Sequence, residues 1–199
     1  ARAEVFARPG REPTSDYPWG KPSWLPWTGR GQKAARGDVA LFDQTSFGKL
    51  LIKGRDAKRL LQWLCTADMA VETGRAVYTG LLNERGTYEA DVTVTRLSDD
   101  EYLLVTGSAS VKRDLDWISR HIAHEDHVSV VDVTSSYAVY VVMGPKSRAL
   151  LQKLSRADVS NEAFPFSTSK EIDLGYSTVR ATRITYVGEL GWELYVPTE

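Results

Sequence analysis

Two residues in the stretch Ala76–Arg96, AVYTGLLNERGTYEADVTVTR, could do chemistry where a plain core strand would carry something bland: Tyr78 and Asp91. The stretch reads as two β-strands around a Gly-containing turn. In Glu89–Arg96 the alternation puts Ala90, Val92 and Val94 on one face and Asp91, Thr93 and Thr95 on the other. An acid on such a strand is either a device that keeps an edge strand soluble or a working carboxylate. A second acid of this kind is Glu193, between Trp192 and Leu194 in WELYV, with Glu189 in the turn before it. His121, His124 and His127 follow an HxxHxxH spacing. Glu125-Asp126 and the strand starting at Val128 break the helix there, and histidines at a helix C-terminus are favourable for the dipole alone, so no metal site is expected.

The elements that must position these groups are legible in turn. Lys49–Lys53 reads as a strand, Gly54 as a turn, and Asp56–Cys65 as an amphipathic helix using Leu60, Leu61 and Leu64. The hairpin follows, then a strand over Tyr102–Thr106. A helix over Ser110–Ile122 carries Val111, Leu115, Ile118 and Ile122 on one face, and a strand covers Val128–Val133. The order βαβββαβ predicts an α+β fold, with helices packed on mostly antiparallel sheets. The pattern then restarts: GRDAKRLLQWL from Gly54 matches GPKSRALLQKL from Gly144 without a gap. Each copy follows an apolar strand, which predicts two related subdomains. Strands are also expected over Thr178–Tyr186 and Trp192–Val196.

Residues 1–38 hold Pro9, Pro13, Pro18, Pro22 and Pro26 among tryptophans, and read as an irregular aromatic arm lying across a folded surface. The expected division is therefore 1–38 arm, 39–134 first subdomain and 135–199 second subdomain, truncated at its C-terminus. A start at Ala1 and a stop just after a fresh strand suggest a piece of a longer protein.

Composition narrows the function classes. A net charge of −1 predicts no general attraction to nucleic acid or an anionic membrane. The single cysteine, Cys65, lies in an apolar run and fits a reducing compartment such as cytoplasm or mitochondrial matrix. Neither a GxGxxG, a GxxxxGK[ST] nor a GxSxG motif is present, so this chain carries no dinucleotide, P-loop or nucleophile-elbow signature.

The hairpin resembles the signature of the folate-binding aminomethyltransferase family, the T-protein of the glycine cleavage system, with the form Y…LN..GG…D..V. Tyr78 stands thirteen positions before Asp91, as that form requires, while Thr87 replaces its second glycine. YVGELGWELYVP is similar to the family's YTGExGxE segment, with Val187 in place of Thr. ALFDQTSFGKLLIKG, LLVTGSASVKRDLDWISRHI and the arm YPWGKPSWL resemble the folate domain of FAD-dependent dimethylglycine and sarcosine dehydrogenases. In the stand-alone T-protein an asparagine usually follows the strand ending here at Thr106, and Gly107 in that place favours the dehydrogenase branch.

The resemblance implies a T-protein N-terminal-like fold with ferredoxin-like elements, and tetrahydrofolate as the bound cofactor. FAD would belong only to an upstream domain of the same chain, with a barrel domain downstream and a small methylated amine as donor. It implies Asp91 as the catalytic carboxylate beside N10 and Tyr78 as an aromatic wall with a hydroxyl. Glu193 or Glu189 would grip the pterin edge, with Gly107 beside the site. The implied activity is capture of a one-carbon unit as 5,10-methylene-tetrahydrofolate. The alternatives are a true aminomethyltransferase working with a lipoyl carrier, or a folate-binding regulatory module without turnover.

Overall fold

A computed structural model describes residues 18–186 and 188–199. Pro9, Pro13 and Val187, which carried sequence expectations, lie outside them. The chain builds two five-stranded antiparallel sheets with helices on their outer faces. Helix α1 is Leu25–Gly37, followed by strands β1, Ala40–Asp43, and β2, Gly48–Lys53. Helix α2, Ala57–Leu64, leads into β3, Ala76–Leu82, β4, Tyr88–Arg96, and β5, Glu101–Thr106. Helix α3 is Val111–Arg120 and β6 is Ser129–Asp132. The second half runs β7, Tyr137–Met143, α4, Ser147–Leu154, β8, Ser169–Leu174, β9, Ser177–Thr182, and β10, Gly191–Pro197. None of these helices is long and apolar enough to cross a membrane.

The repeat in the sequence is a repeat in space. One sheet runs β3-β4-β5-β2-β6, the other β8-β9-β10-β7-β1. These are the same order under the correspondence of β2 with β7 and α2 with α4. At the strand–helix corners Gly54 and Gly144 take φ of 136° and 125°, which L side chains rarely adopt. A Cβ at Gly54 would collide with the His127 carbonyl, and one at Gly144 with the Asp38 carbonyl. Those same carbonyls accept hydrogen bonds from Asp56 N and Lys146 N.

One consequence of the correspondence is an exchange. Strand β1 precedes the first copy but pairs with β7, Ala40 opposite Met143. Strand β6 precedes the second copy but pairs with β2, Leu50 opposite Asp132. Counted by the repeat, each sheet is therefore edged by the strand that precedes the other copy; against the expected boundary at 134/135 only β1 crosses, because β6 lies within 39–134. The exchange is stitched by matching bonds: Lys49 N donates to Thr134 Oγ1 (3.1 Å) and Val139 N to Thr45 Oγ1 (3.0 Å).

The expectation of an irregular arm is corrected over Leu25–Gly37, which is helical. All five prolines precede Trp27, and Pro26 stands in the first turn, where its missing N–H interrupts no intrahelical bond. Strands β1 and β8 were not anticipated. The expected strand over Thr178–Tyr186 is regular only to Thr182.

Two cores lie under the helices. Leu60, Leu61 and Leu64 of α2 and Ile118 of α3 meet Leu50, Ile52, Leu81, Val92, Val94 and Leu104. Each fully buried leucine contributes roughly 1.5–3 kcal/mol. Leu151 of α4 meets Trp192, Leu194, Val179 and Ala181. On the opposite faces Leu103 of β5 packs with Val139 of β7 and Tyr195 of β10, so the two sheets stack through their helix-free faces.

Candidate functional site

The hairpin register decides which side chains share a face. Tyr78 lies opposite Thr93 and Gly80 opposite Asp91, while Thr93 lies opposite Val105 and Thr95 opposite Leu103. Cross-strand partners point the same way, so Tyr78 and Asp91 stand on the face of Leu103 and Val105, the helix-free face. In the other sheet Glu193 lies opposite Val141, and Tyr195 opposite Val139. Glu193 thus stands on the stacking face of its own sheet.

Strand β4 is interior to its sheet, but its pairing with β5 covers only Thr93–Arg96. Below Thr93 the two part, and continuing their register would place Gly107 across from Asp91. The gap is an open cleft of about 400 Å³ lined by Tyr78, Tyr88, Glu89, Ala90, Asp91, Thr106, Gly107, Ser110 and Arg113. Tyr78, Asp91 and Gly107 therefore share one cleft. Glu193 and Glu189 do not line it.

Tyr78 Oη donates to Asp91 Oδ2 at 2.9 Å. That bond to a carboxylate, and the charge of the carboxylate itself, push the Tyr78 pKa up, with Tyr88 and Tyr186 adding in the same direction. Tyr78 accordingly keeps its proton and remains a donor. Among the described residues Tyr78 is the only hydrogen-bond partner of the Asp91 side chain, leaving Oδ1 of this cleft-lining residue without one.

The opposite wall is held from behind. The buried Asp114 of α3 accepts from Thr106 Oγ1 at 2.6 Å and from Arg113 Nε and Nη2 at 3.1 Å. Arg113 also donates to the Glu89 carbonyl. The turn above the cleft is organised by Asn83, whose side chain meets Thr87 and Glu89, so Thr87 is built into the turn.

Glu193 is half-buried and accepts from Tyr195 Oη at 2.6 Å, its one hydrogen bond among the described residues. Burial pushes its pKa up, against the lowering effect of that bond. Glu189 instead pairs with Arg36 of α1 at 3.2 Å. His121 is the residue after α3 and its Nδ1 lies 2.8 Å from the Trp117 carbonyl. Cys65 is buried, with its thiol pushed up to about 12 by desolvation.

Sequence reasoning missed Tyr88, Ser110, Thr106, Glu89 and Arg113 as cleft residues. For Tyr88 a signal existed: an aromatic near the acid and a glycine, Gly80, one strand away. For the others none did, because the cleft arises where two strands part.

With that geometry in view, comparison with known proteins is informative. The whole chain, residues 1–199, matches the GCVT N-terminal domain family. This chain belongs to that family. It is 41% identical over 194 residues to 4-methylaminobutanoate oxidase (formaldehyde-forming) of Paenarthrobacter nicotinovorans, covering 98% of this chain and 23% of that protein. It is 39% identical over 178 residues to human mitochondrial sarcosine dehydrogenase, covering 82% of this chain and 19% of that one. The chain thus spans about a fifth of the length of these relatives. Its fold matches a glycine cleavage system aminomethyltransferase T from Bartonella henselae with a TM-score of 0.73 at 23% identity, over 84% of this chain and 44% of that one. The expected α+β fold and family are both borne out.

Proposed function

We propose that this chain is the tetrahydrofolate-binding, one-carbon-transfer domain of a demethylating FAD-dependent oxidoreductase of the dimethylglycine and sarcosine type. FAD would sit in another part of that longer protein. The observation that carries the reading is the Tyr78–Asp91 pair, an acid lining a cleft, with one oxygen held by a protonated phenol and the other without a partner among the described residues. The likeness to sarcosine dehydrogenase and to a formaldehyde-forming oxidase supports it.

The residues present fit the cofactor. A pterin edge presents amide-like donors, and Glu193 is a carboxylate with a single partner whose charge burial disfavours. A ligand that donates to it would relieve that cost. Glu193 is a better candidate than Glu189, which already holds Arg36. Tetrahydrofolate, when bound, supplies the two nitrogens that take up the one-carbon unit. Asp91 Oδ1 would orient the attacking nitrogen, hold its proton, and favour a cationic donor by charge. Tyr78 fixes the carboxylate and offers its ring as a wall. Gly107 keeps the space across from Asp91 free of a side chain. The product would be 5,10-methylene-tetrahydrofolate.

The test is Asp91→Asn in the full-length protein. Asn keeps the shape and loses the charge. Transfer to folate should fall roughly 10²–10⁴-fold, with flavin reduction by the methylated amine continuing and formaldehyde released instead. An undiminished yield of 5,10-methylene-tetrahydrofolate would remove Asp91 from the chemistry.

A further inference from the structure

Strict alternation along β4 would put Tyr88, three residues from Asp91, on the opposite face of the sheet. The structure does otherwise. Ala90 lies opposite Leu81 but Tyr88 lies opposite Leu82, so Glu89 is an extra residue and the strand carries a bulge. The bulge turns Tyr88 onto the face of Asp91, a re-aiming that such irregularities commonly perform beside sites. Gly80, directly across from Asp91, supplies the seat: a Cβ there would collide with Cε1 of the Tyr88 ring and lie 3.0 Å from Cδ1 and Cζ. Two local departures, a bulge and a glycine in mid-strand, therefore combine to place one ring beside one carboxylate.

That ring is not there for the core. Tyr88 is 71% exposed and Tyr78 67%. Together with Asp91 they make a corner of two aromatic rings and a carboxylate. The one cation lining the cleft, Arg113, is engaged by Asp114 and the Glu89 carbonyl. Asp91 takes part in no ion pair among the described residues, so the corner's negative character is left uncompensated. Aromatic faces around a carboxylate recognise substituted ammonium groups, whose charge is spread over carbon and only weakly hydrated.

We propose that Tyr88 is a further ligand-binding residue, and that Tyr78, Tyr88 and Asp91 together hold the cationic N-methylene (iminium) form of the amine, already oxidised at the flavin, while tetrahydrofolate takes its methylene carbon and the amine leaves with the two displaced protons. This rests on the one-carbon reading above and adds Tyr88, as the residue that holds the donor, to it.

The experiment uses the full-length protein turning over dimethylglycine or sarcosine with tetrahydrofolate present. It reads the partition between 5,10-methylene-tetrahydrofolate and free formaldehyde, normalised to flavin turnover. Tyr88→Leu, which loses the π-face, should raise the formaldehyde share roughly three- to tenfold. Tyr88→Phe, which keeps the face and loses only the hydroxyl, should restore the original partition. Gly80→Ala, which evicts the ring from its seat, should shift it in the direction of Tyr88→Leu. Titration with tetrahydrofolate separates the alternative role. A partition unmoved by Tyr88→Leu overturns the proposal, as does a loss of tetrahydrofolate affinity large enough to account for the shift, since the ring would then hold the folate. If the unmutated protein forms no 5,10-methylene-tetrahydrofolate, the reading beneath it falls as well.

Discussion

Glu193 faces the interior between the two sheets, its carboxylate bonded among the described residues to Tyr195 alone, and burial raises its pKa. A carboxyl whose folded pKa exceeds its unfolded one binds its proton more tightly in the folded chain. The associated stability is therefore complete below the ordinary value near 4.5 and declines as pH rises toward the folded pKa. Glu193→Gln should flatten that decline and raise Tm at neutral pH, as melting curves across pH 4–8 would record; an unchanged profile would mean the carboxylate is comfortable where it is. Lys49 makes a comparable case. Its side chain is wholly buried, its Nζ donates to the Thr45 (2.9 Å) and Tyr137 (3.1 Å) carbonyls, and burial draws its pKa down against the pull of Asp132 and Asp43. Lys49→Met would relieve the desolvated charge but orphan two carbonyls, for a net loss of about 1–3 kcal/mol in urea unfolding. Which of these residues could be read in advance follows from how local their geometry is. Tyr78 and Asp91 lie on one hairpin, where the period of two fixes faces, and Gly107, just past the strand beside it, came from the family resemblance alone. Tyr88 escaped because a single extra residue reverses that parity. The site-like character of Lys49 escaped because KLLIK looks like any alternating strand.

Among the elements, the strand–helix corners at Gly54 and Gly144 were the most legible, because a glycine followed by the LLQ pattern marks both. Their geometry also makes them sensitive. Gly144→Ala should destabilise the chain by more than about 1 kcal/mol, since it adds the positive-φ penalty of an L residue to a collision with the Asp38 carbonyl. Gly175→Ala, at φ of 61° with nothing near its Cβ position, carries only the milder left-handed penalty, and the difference in urea midpoints between the two variants measures the collision together with the greater strain at φ of 125°. Other elements were hidden for identifiable reasons. Strand β1 has four residues and none of them is buried, so no apolar alternation announces it. Strand β8 buries only Ser169 and Ile172. Helix α1 follows so many prolines, and contains so many glycines, that local propensity argues against it. Its C-terminal turn is nevertheless fixed, with Ala35 buried and Asp38 held by Lys146.

At the scale of the molecule, the repeat was visible and the exchange of β1 and β6 was not, since nothing in a strand's own sequence says which copy it will edge. The exchange makes the halves interdependent. Residues 135–199 produced alone lack β1 and expose the edge of β7, an open template for pairing with other chains. They should self-associate in size-exclusion chromatography, and co-expression with 39–134 should return a single 1:1 species; a monomeric 135–199 piece with protected β7 amides would show that the exchange is dispensable. Timing on the ribosome is a different consequence of the same arrangement. Among the described strands β1 emerges first, yet its partner β7 lies about a hundred residues further along. At roughly 5–20 residues per second, the nascent strand waits about 5–20 s before it has anything to pair with. Its Leu41 and Phe42 stay largely exposed even after pairing, so while it waits only its four-residue length and terminal Asp43 keep it from recruiting a neighbouring polysome before its own second half arrives.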